Sequence, residues 1–147
     1  MIHCLLYISD HLLPSSTLSS EVDAIVAISL RRNHSLQVTG ALVATADYFA
    51  QVLEGSKAHV EELMASIVQD PRHSNVRVID VHRVNERFFP RWSLAYLGTS
   101  DAFERQIGLL ERAHLNGASM VAAATEFAHR AREAAWQYGH WRKDPGQ

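Results

Sequence analysis

The segment Asp47–Gly55 places a glutamine where a sheet normally has an apolar side chain. Its pattern indicates a strand, and the period of two puts Phe49 and Gln51 on one face. Because a buried amide without partners costs about 1–3 kcal/mol, we expect polar groups opposite Gln51. Candidates are Tyr7, in an otherwise apolar first strand, and Asn33, at the end of the first helical pattern. Neutral polar groups without a metal-type or nucleophile–base pattern suit a planar ligand with hydrogen-bonding edges better than they suit hydrolysis.

The composition excludes several kinds of function. The chain has 147 residues, 47% of them hydrophobic and 20% charged, which is ordinary for one soluble globular domain with its own core. A net charge of −2 gives no electrostatic case for binding nucleic acid or an anionic membrane. The nine histidines are scattered without a paired ligand spacing, so we expect no metal site.

The single cysteine, Cys4, excludes an intramolecular disulfide and fits a reducing compartment. We interpret it as a small buried side chain in the first strand. The N-terminus shows no signal-peptide pattern, and no segment reaches the ~18–20 apolar residues of a membrane span. We therefore expect a cytoplasmic protein that does not insert into membranes.

The hydrophobic periodicity predicts the element order βαββαββ over the first two-thirds of the chain. The predicted strands are residues 2–8, 37–45, 48–54, 76–84 and 92–97, and the predicted helices begin at Ser20 and at Gly55-Ser56. This order contains the ferredoxin-like split βαβ arrangement with one added strand. We expect an α+β fold, a five-stranded mixed sheet with both helices on one face.

Beyond residue 100 the pattern becomes helical, with a break at Asn116-Gly117. Two apolar stripes support two helices: Phe103, Ile107 and Leu110, then Met120, Ala124, Phe127, Ala131 and Tyr138. We expect these helices to cover the other face of the sheet. The predicted division is a domain at residues 1–97 and a C-terminal helical cap at residues 98–147.

Six segments resemble the BLUF family, blue-light sensors using FAD, in their order and spacing. They are Leu5–Ser9, Arg32-Asn33, Val38–Leu42, Phe49–Gly55, Asp70–Asn75 and Arg87–Trp92. The resemblance covers residues 1 to about 97. It implies a non-enzymatic photoreceptor that binds FAD non-covalently between its two helices.

The resemblance also implies individual roles. Tyr7 matches the photoactive tyrosine, which gives an electron and then a proton to the excited flavin. Gln51 matches the glutamine between that tyrosine and flavin N5 and O4, whose rotation or tautomerisation changes the hydrogen bonds it offers. Asn33 matches the asparagine that pairs with the flavin C4 carbonyl and N3 edge. From the residues alone, Tyr7 and Gln51 could instead be satisfied core groups, and Asn33 a left-handed residue ending its helix.

Three further residues are implied as flavin contacts. Arg72 and His73 match an Arg-His pair that lines the flavin in some members, and Ser9 lies near the end of the first strand. Read without the resemblance, Arg72 and His73 belong to an exposed loop after the second helix.

The segment Trp92-Ser-Leu94 departs from the family, which has methionine where this chain has leucine. Leu94 fills a similar volume without the thioether, so we expect flavin binding to survive; how far and by what route the glutamine change reaches this strand is left open. Trp92 is either a packed core aromatic or a residue that competes as electron donor or moves during signalling.

Three classes of function are compared. The preferred one is a light sensor acting on an unidentified partner protein or through self-association. The second is a flavin-free ferredoxin-like interaction module. The third is an enzyme, either a small flavin reductase or an acylphosphatase-like hydrolase. The enzyme is disfavoured because the sequence has no Gly-rich phosphate cradle and no room for a nicotinamide domain.

Overall fold

The computed structural model describes residues 1–97, 101–117 and 119–138. The elements are β1 (Ile2–His11), α1 (Leu18–Ser35), β2 (Thr39–Ala44), β3 (Tyr48–Gly55), α2 (Lys57–Gln69), β4 (His73–Val84), β5 (Ala95–Tyr96), α3 (Asp101–Leu115) and α4 (Val121–Tyr138). The predicted order, βαββαββ followed by two helices, is confirmed.

The five strands form one mixed sheet in the order β4-β1-β3-β2-β5. The pairs β4–β1, β1–β3 and β3–β2 are antiparallel, and β5 runs parallel to β2. This is the ferredoxin-like α+β arrangement that the sequence predicts. The register of β1 and β3 sets Tyr7 directly opposite Gln51.

Alternation along the strands divides the apolar residues between the two faces of the sheet. On one face, α1 packs against Leu42 and Phe49, and α2 packs against Leu5 and Leu53. The other face is covered by α3 and α4, as predicted, through one continuous core. That core includes Leu6, Ile8, Val43, Val52, Ile107, Phe127 and Ala131.

The boundaries of α1 differ from the prediction. The helix begins at Leu18 rather than Ser20, because Glu21 N donates to the Thr17 main-chain oxygen over 3.0 Å and closes the first turn there. It continues to Ser35, so Asn33 lies within its last turn. The left-handed residue after the helix is Gln37, with φ 55°. Asn33 therefore does not end the helix in the way its residue type alone suggests.

A buried carboxylate fixes the segment that leads toward β5. Glu54 Oε1 accepts from Phe89 N over 2.6 Å and from Thr39 Oγ1 over 2.9 Å, and Oε2 accepts from Phe88 N over 2.8 Å. Burial raises the pKa of Glu54, although these hydrogen bonds oppose the shift. From the sequence, Glu54 was recognisable only as an acidic residue at the end of a strand, so these hydrogen bonds were not predicted.

The last strand is shorter than the predicted 92–97. Trp92 N donates to Phe89 O over 3.2 Å in a turn, and the Ser93 main-chain oxygen is taken by the side chain of Asn33. Regular pairing with β2 therefore begins only at Ala95. Because this segment is irregular, Trp92 packs in the α3/α4 core while Leu94 packs on the α1 side.

Candidate functional site

A cavity of about 50 Å³ lies on the sheet between α1 and the end of α2. Its lining comes from the sheet (Tyr7, Leu42, Phe49, Gln51 and His73), from α1 (Ile25, Ser29) and from α2 with the turn after it (Ile67, Asp70, Arg72). Four of the predicted site residues, Tyr7, Gln51, Arg72 and His73, are thus brought together. Ser9, Asn33, Trp92 and Leu94 lie behind or beside this lining.

Tyr7 and Gln51 form a buried hydrogen-bonded pair at the floor of the cavity. The Tyr7 hydroxyl donates to Gln51 Oε1 over 2.5 Å, and the two residues are only 3% and 5% exposed. Burial, helped by the charge of Asp70, raises the pKa of the Tyr7 phenol. Tyr7 is therefore a neutral phenol whose proton points at the amide oxygen. This bond occupies Oε1, so the Nε2 donor of Gln51 is left for other partners.

His73 is held in one tautomer by two hydrogen bonds. Its Nε2 lies 2.6 Å from the Ile67 main-chain oxygen, which can only accept, so Nε2 carries the proton. In the neutral ring Nδ1 then accepts from the buried Ser9 hydroxyl over 2.7 Å. Ser9, which is also predicted as a flavin contact, orients the histidine that lines the cavity.

Arg72 is positioned at the cavity by Asp70. Its Nε donates to Asp70 Oδ1 over 3.0 Å and its Nη2 to Oδ2 over 2.6 Å, a two-point contact. The hydrogen bonds from Arg72 lower the pKa of Asp70, and the same bonds raise the pKa of Arg72. Asp70 therefore stays ionised and balances the arginine charge at the cavity.

Asn33 is almost fully buried, at 1% exposed, and its amide has one satisfied end. Nδ2 donates to the Ser93 main-chain oxygen over 2.8 Å. Within the described part of the chain, the buried Oδ1 has no hydrogen-bond partner. A buried acceptor without a hydrogen bond raises the free energy of the folded state, so we expect a donor to bind at Oδ1. Ile25, Ser29 and Asn33 follow one another at a spacing of four, so Asn33 continues the α1 stripe that lines the cavity.

Trp92 and Leu94 contact different helices. The Trp92 ring meets Trp136 of α4 edge-to-face at 5.1 Å, and the Arg91 guanidinium lies 4.9 Å from the centre of the Trp136 ring. Leu94 is fully buried beside Val22 of α1. In this arrangement Trp92 faces away from the cavity.

Sequence reasoning missed several residues at the cavity: Ile25, Ser29, Leu42, Ile67 and Asp70. The spacing of Ile25 and Ser29 with Asn33 was a usable signal, because i, i+4 and i+8 lie on one helix face. Asp70 was inside a segment quoted for the family resemblance, but no role was attached to it.

Membrane spans and metal-binding clusters are both absent from the described residues. No helix among them combines the length and apolar character needed to cross a bilayer. They also contain no group of three or more His, Cys, Asp or Glu side chains that could hold a metal ion.

A family model described as sensors of blue-light using FAD matches residues 2–95. The chain belongs to the BLUF family. It is 38% identical over 91 residues to photoactivated adenylate cyclase subunit beta of Euglena longa, an alignment covering 61% of this chain and 10% of that protein. This BLUF chain spans about a tenth of the length of the curated relatives it matches first.

Solved structures of BLUF proteins share the fold of this chain. The dark-state structure of BlrB, a BLUF protein, has a TM-score of 0.70 and 30% identity and covers 92% of this chain and 96% of that one. Klebsiella pneumoniae BlrP1 with FMN and cyclic diGMP has a TM-score of 0.60 and 26% identity over 80% of this chain and 35% of that one. A flavin-binding sensor domain is thus the family assignment.

The residues around the cavity fit the polar edge of a flavin. The orphaned Asn33 Oδ1 needs a donor, and the flavin ring carries an N3–H group. Gln51 has its Nε2 donor left over, and the flavin ring carries acceptors.

Proposed function

We propose that this BLUF protein is a blue-light photoreceptor that holds FAD non-covalently between α1 and α2 and signals to a separate protein. The observation that carries the proposal is the buried Tyr7–Gln51 pair, with its 2.5 Å hydrogen bond at the floor of the cavity. A redox-active phenol bonded to a two-ended amide is a poor apolar filler but a suitable hydrogen-bond switch.

When bound, the flavin supplies absorption of blue light and a place for one electron. Tyr7 supplies that electron and its phenolic proton, and both return to it in the dark, so the cycle is balanced. Gln51 Oε1 already accepts the hydroxyl proton, which gives the proton a path out of the phenol. The raised pKa of Tyr7 supports this role because the residue starts as a neutral phenol with a proton to lose.

Gln51 stores the response in its amide group. With Oε1 on Tyr7, the amide offers a donor elsewhere; after rotation or tautomerisation, it offers an acceptor or a different donor. Such a rearrangement can persist after the electron has returned, because reversing it requires breaking the new hydrogen bonds. A small red shift of the flavin absorption is the expected sign.

Asn33, Arg72 and His73 would hold the ring. Asn33 Oδ1 would accept a hydrogen bond from the ring N3–H, and the oriented side chains of Arg72 and His73 would form the opposite wall. FAD is proposed over FMN from the description of the family, although BlrP1 has been solved with FMN. The free, buried Cys4 keeps the cytoplasm as the proposed compartment.

We propose that output passes through protein contacts to an unidentified partner or to a second copy of the chain. Asn33 bonds Ser93, whose neighbour Trp92 packs on Trp136 of α4. Trp136 is 49% exposed and stands beside Arg91. A shift of the segment at Ser93 would thus reach a surface available to a partner.

The test uses the full purified chain mixed with FAD, FMN or riboflavin and illuminated with blue light. We expect a yellow protein with a small red shift that reverses in the dark. A colourless protein that takes up none of the three flavins refutes the proposal in favour of the interaction module. Bleaching by a reduced nicotinamide in the dark, without a light response, refutes it in favour of the reductase.

A further inference from the structure

Arg77 of β4 joins three parts of the fold at what we call the Arg77 junction (Asp10, Asn75, Arg77 and Glu111). Its Nε donates to Glu111 Oε1 of α3 over 2.7 Å, and its Nη2 contacts the same oxygen. Nη2 also lies 3.1 Å from Asp10 Oδ1 of β1, and Nη1 donates to the Asn75 main-chain oxygen over 2.7 Å. The junction therefore connects β1, the start of β4 and α3.

Asp10 and Tyr48, which both lie near Arg77, alternate along their strands with residues at the cavity. Asp10 follows Ser9, which bonds the cavity histidine, and Tyr48, whose ring centre is 5.8 Å from Arg77 Cζ, precedes Phe49 of the cavity lining. Across β1 and β3, Ser9 pairs with Phe49 and Asp10 pairs with Tyr48. Because neighbours in a strand point to opposite faces, the cavity and the junction share the same strand ends. A displacement of these strand ends therefore moves residues on both faces of the sheet.

The junction also holds an irregular stretch of backbone. The β1–β4 register shifts between Ile8 and Asp10, and Asn75 has a left-handed φ of 52°. Such a conformation persists where the surroundings determine it. Here the Asn75 side chain donates to Asp10 Oδ2 over 3.1 Å, while its main-chain oxygen is held by Arg77. His73, two residues earlier, enters the cavity from this same backbone.

The contact between Arg77 and Glu111 of α3 consists of hydrogen bonds, so it depends on the relative orientation of the two side chains. Other core contacts of α3 come from Phe103, Ile107 and Leu110, which are apolar, and hydrophobic attraction has no preferred direction. The Arg77 and Glu111 side chains are each 21% exposed, so their attraction is only partly screened and responds to salt. Glu111 thus fixes where α3 sits relative to the strand ends.

We propose that Arg77 is a positioning residue that couples the cavity to α3, so that a change at the cavity alters the docking of that helix. This route is distinct from the Asn33–Ser93 contact, which leads to α4. The proposal rests on the proposed light function for its trigger. The coupling between the cavity and α3 does not itself need light, so it can be measured in the dark.

The first experiment measures amide hydrogen exchange in the dark on the full chain, with and without FAD. Glu111→Gln removes the ionic contact to α3, and Glu104→Gln removes the same charge from the same helix outside the junction. We expect Glu111→Gln to speed exchange about threefold or more in α3 and also in the cavity-side segments 9–11, 48–50 and 73–75. Glu104→Gln should leave those segments unchanged.

Two results overturn the coupling. A rise in the exchange rate that is confined to α3 means that Arg77 only anchors the helix. An equal rise in β2, which lies away from the junction, means general loosening. Arg77→Lys provides a second variant that keeps the charge and loses the fork geometry; we expect it to show the pattern of Glu111→Gln.

The second experiment follows dark recovery of the red-shifted state at about 50 mM and about 500 mM salt. We expect the wild-type rate to change about twofold or more between the two, and the rate of Glu111→Gln to be nearly independent of salt. Equal salt dependence in both proteins contradicts the coupling. A wild type without any red shift refutes the proposed function instead, and the exchange experiment then decides the junction alone.

Discussion

The side-chain amide of Asn33, in the last turn of α1, donates to the main-chain oxygen of Ser93 over 2.8 Å. A helix side chain thereby occupies a carbonyl that would otherwise belong to a strand, and β5 begins two residues later. The other end of the same amide is the orphaned Oδ1. Because one rigid planar group carries both ends, a ligand bound to Oδ1 and the position of Ser93 are mechanically linked.

Asn33→Ala should weaken flavin binding and lower stability together. Loss of the Oδ1 contact is expected to reduce affinity about tenfold or more, and loss of the Asn33–Ser93 hydrogen bond should cost about 1 kcal/mol of unfolding free energy. Flavin titration and urea unfolding measure the two effects. Asn85→Ala, at an exposed loop position, is the matched control. Unchanged affinity would remove Asn33 from the binding site.

Tyr7→Phe should keep flavin and abolish the red-shifted state. The phenyl ring still fills the floor of the cavity, but the donor to Gln51 and the oxidisable phenol are gone. Absorbance before and after a blue pulse tests this. Tyr48→Phe makes the same chemical change outside the cavity lining and should behave as wild type. A normal shift in Tyr7→Phe would disprove the assignment.

The raised pKa of Tyr7 also predicts how stability varies at alkaline pH. Above the ordinary value of 10.0 the unfolded chain loses the phenolic proton while the folded chain keeps it, so unfolding becomes more favourable as pH rises toward the folded pKa. The loss approaches about 1.4 kcal/mol per pH unit. Urea unfolding between about pH 8 and about pH 11 should show a steeper loss of stability in wild type than in Tyr7→Phe, which keeps the contributions of Cys4 and Tyr48, whose pKa values are also raised. Parallel curves of unfolding free energy against pH for the two proteins would contradict this prediction.

The sequence predicted what depends on local periodicity. The element order, the sheet with helices on both faces and the position of Gln51 opposite a polar group all follow from alternation and apolar stripes. Gln51 was recognisable because an amide on an apolar face requires a partner, and Tyr7 was the nearest polar residue in the adjoining strand pattern.

What the sequence did not predict depends on contacts between distant residues. The short β5 results from Asn33 taking the Ser93 carbonyl, sixty positions away. The role of Ser9 depends on the orientation of His73, which is set by an α2 carbonyl. The separation of Trp92 and Leu94 onto opposite faces follows from the turn at Phe89, since strand alternation would have placed them on one face.

Leu94→Met should keep the direction of the red shift and change the rate of dark recovery. Leu94 is fully buried in the cluster that also contains Phe49 and Leu42, so it packs in the same apolar cluster as these two residues of the cavity lining. A methionine of similar volume but greater flexibility alters how those walls settle around Gln51. A change of about 1.4 kcal/mol in the barrier changes recovery about tenfold.

Recovery is followed by absorbance after a blue pulse in wild type, Leu94→Met and Leu110→Met. Leu110 is equally apolar and buried but belongs to the α3/α4 core, so Leu110→Met should recover like wild type. Equal changes in both variants would mean that the rate reports general core softness and not the cavity walls. If Leu94→Met alone creates a photocycle that the wild type lacks, then the natural leucine has disabled the switch, and the chain binds flavin without sensing light.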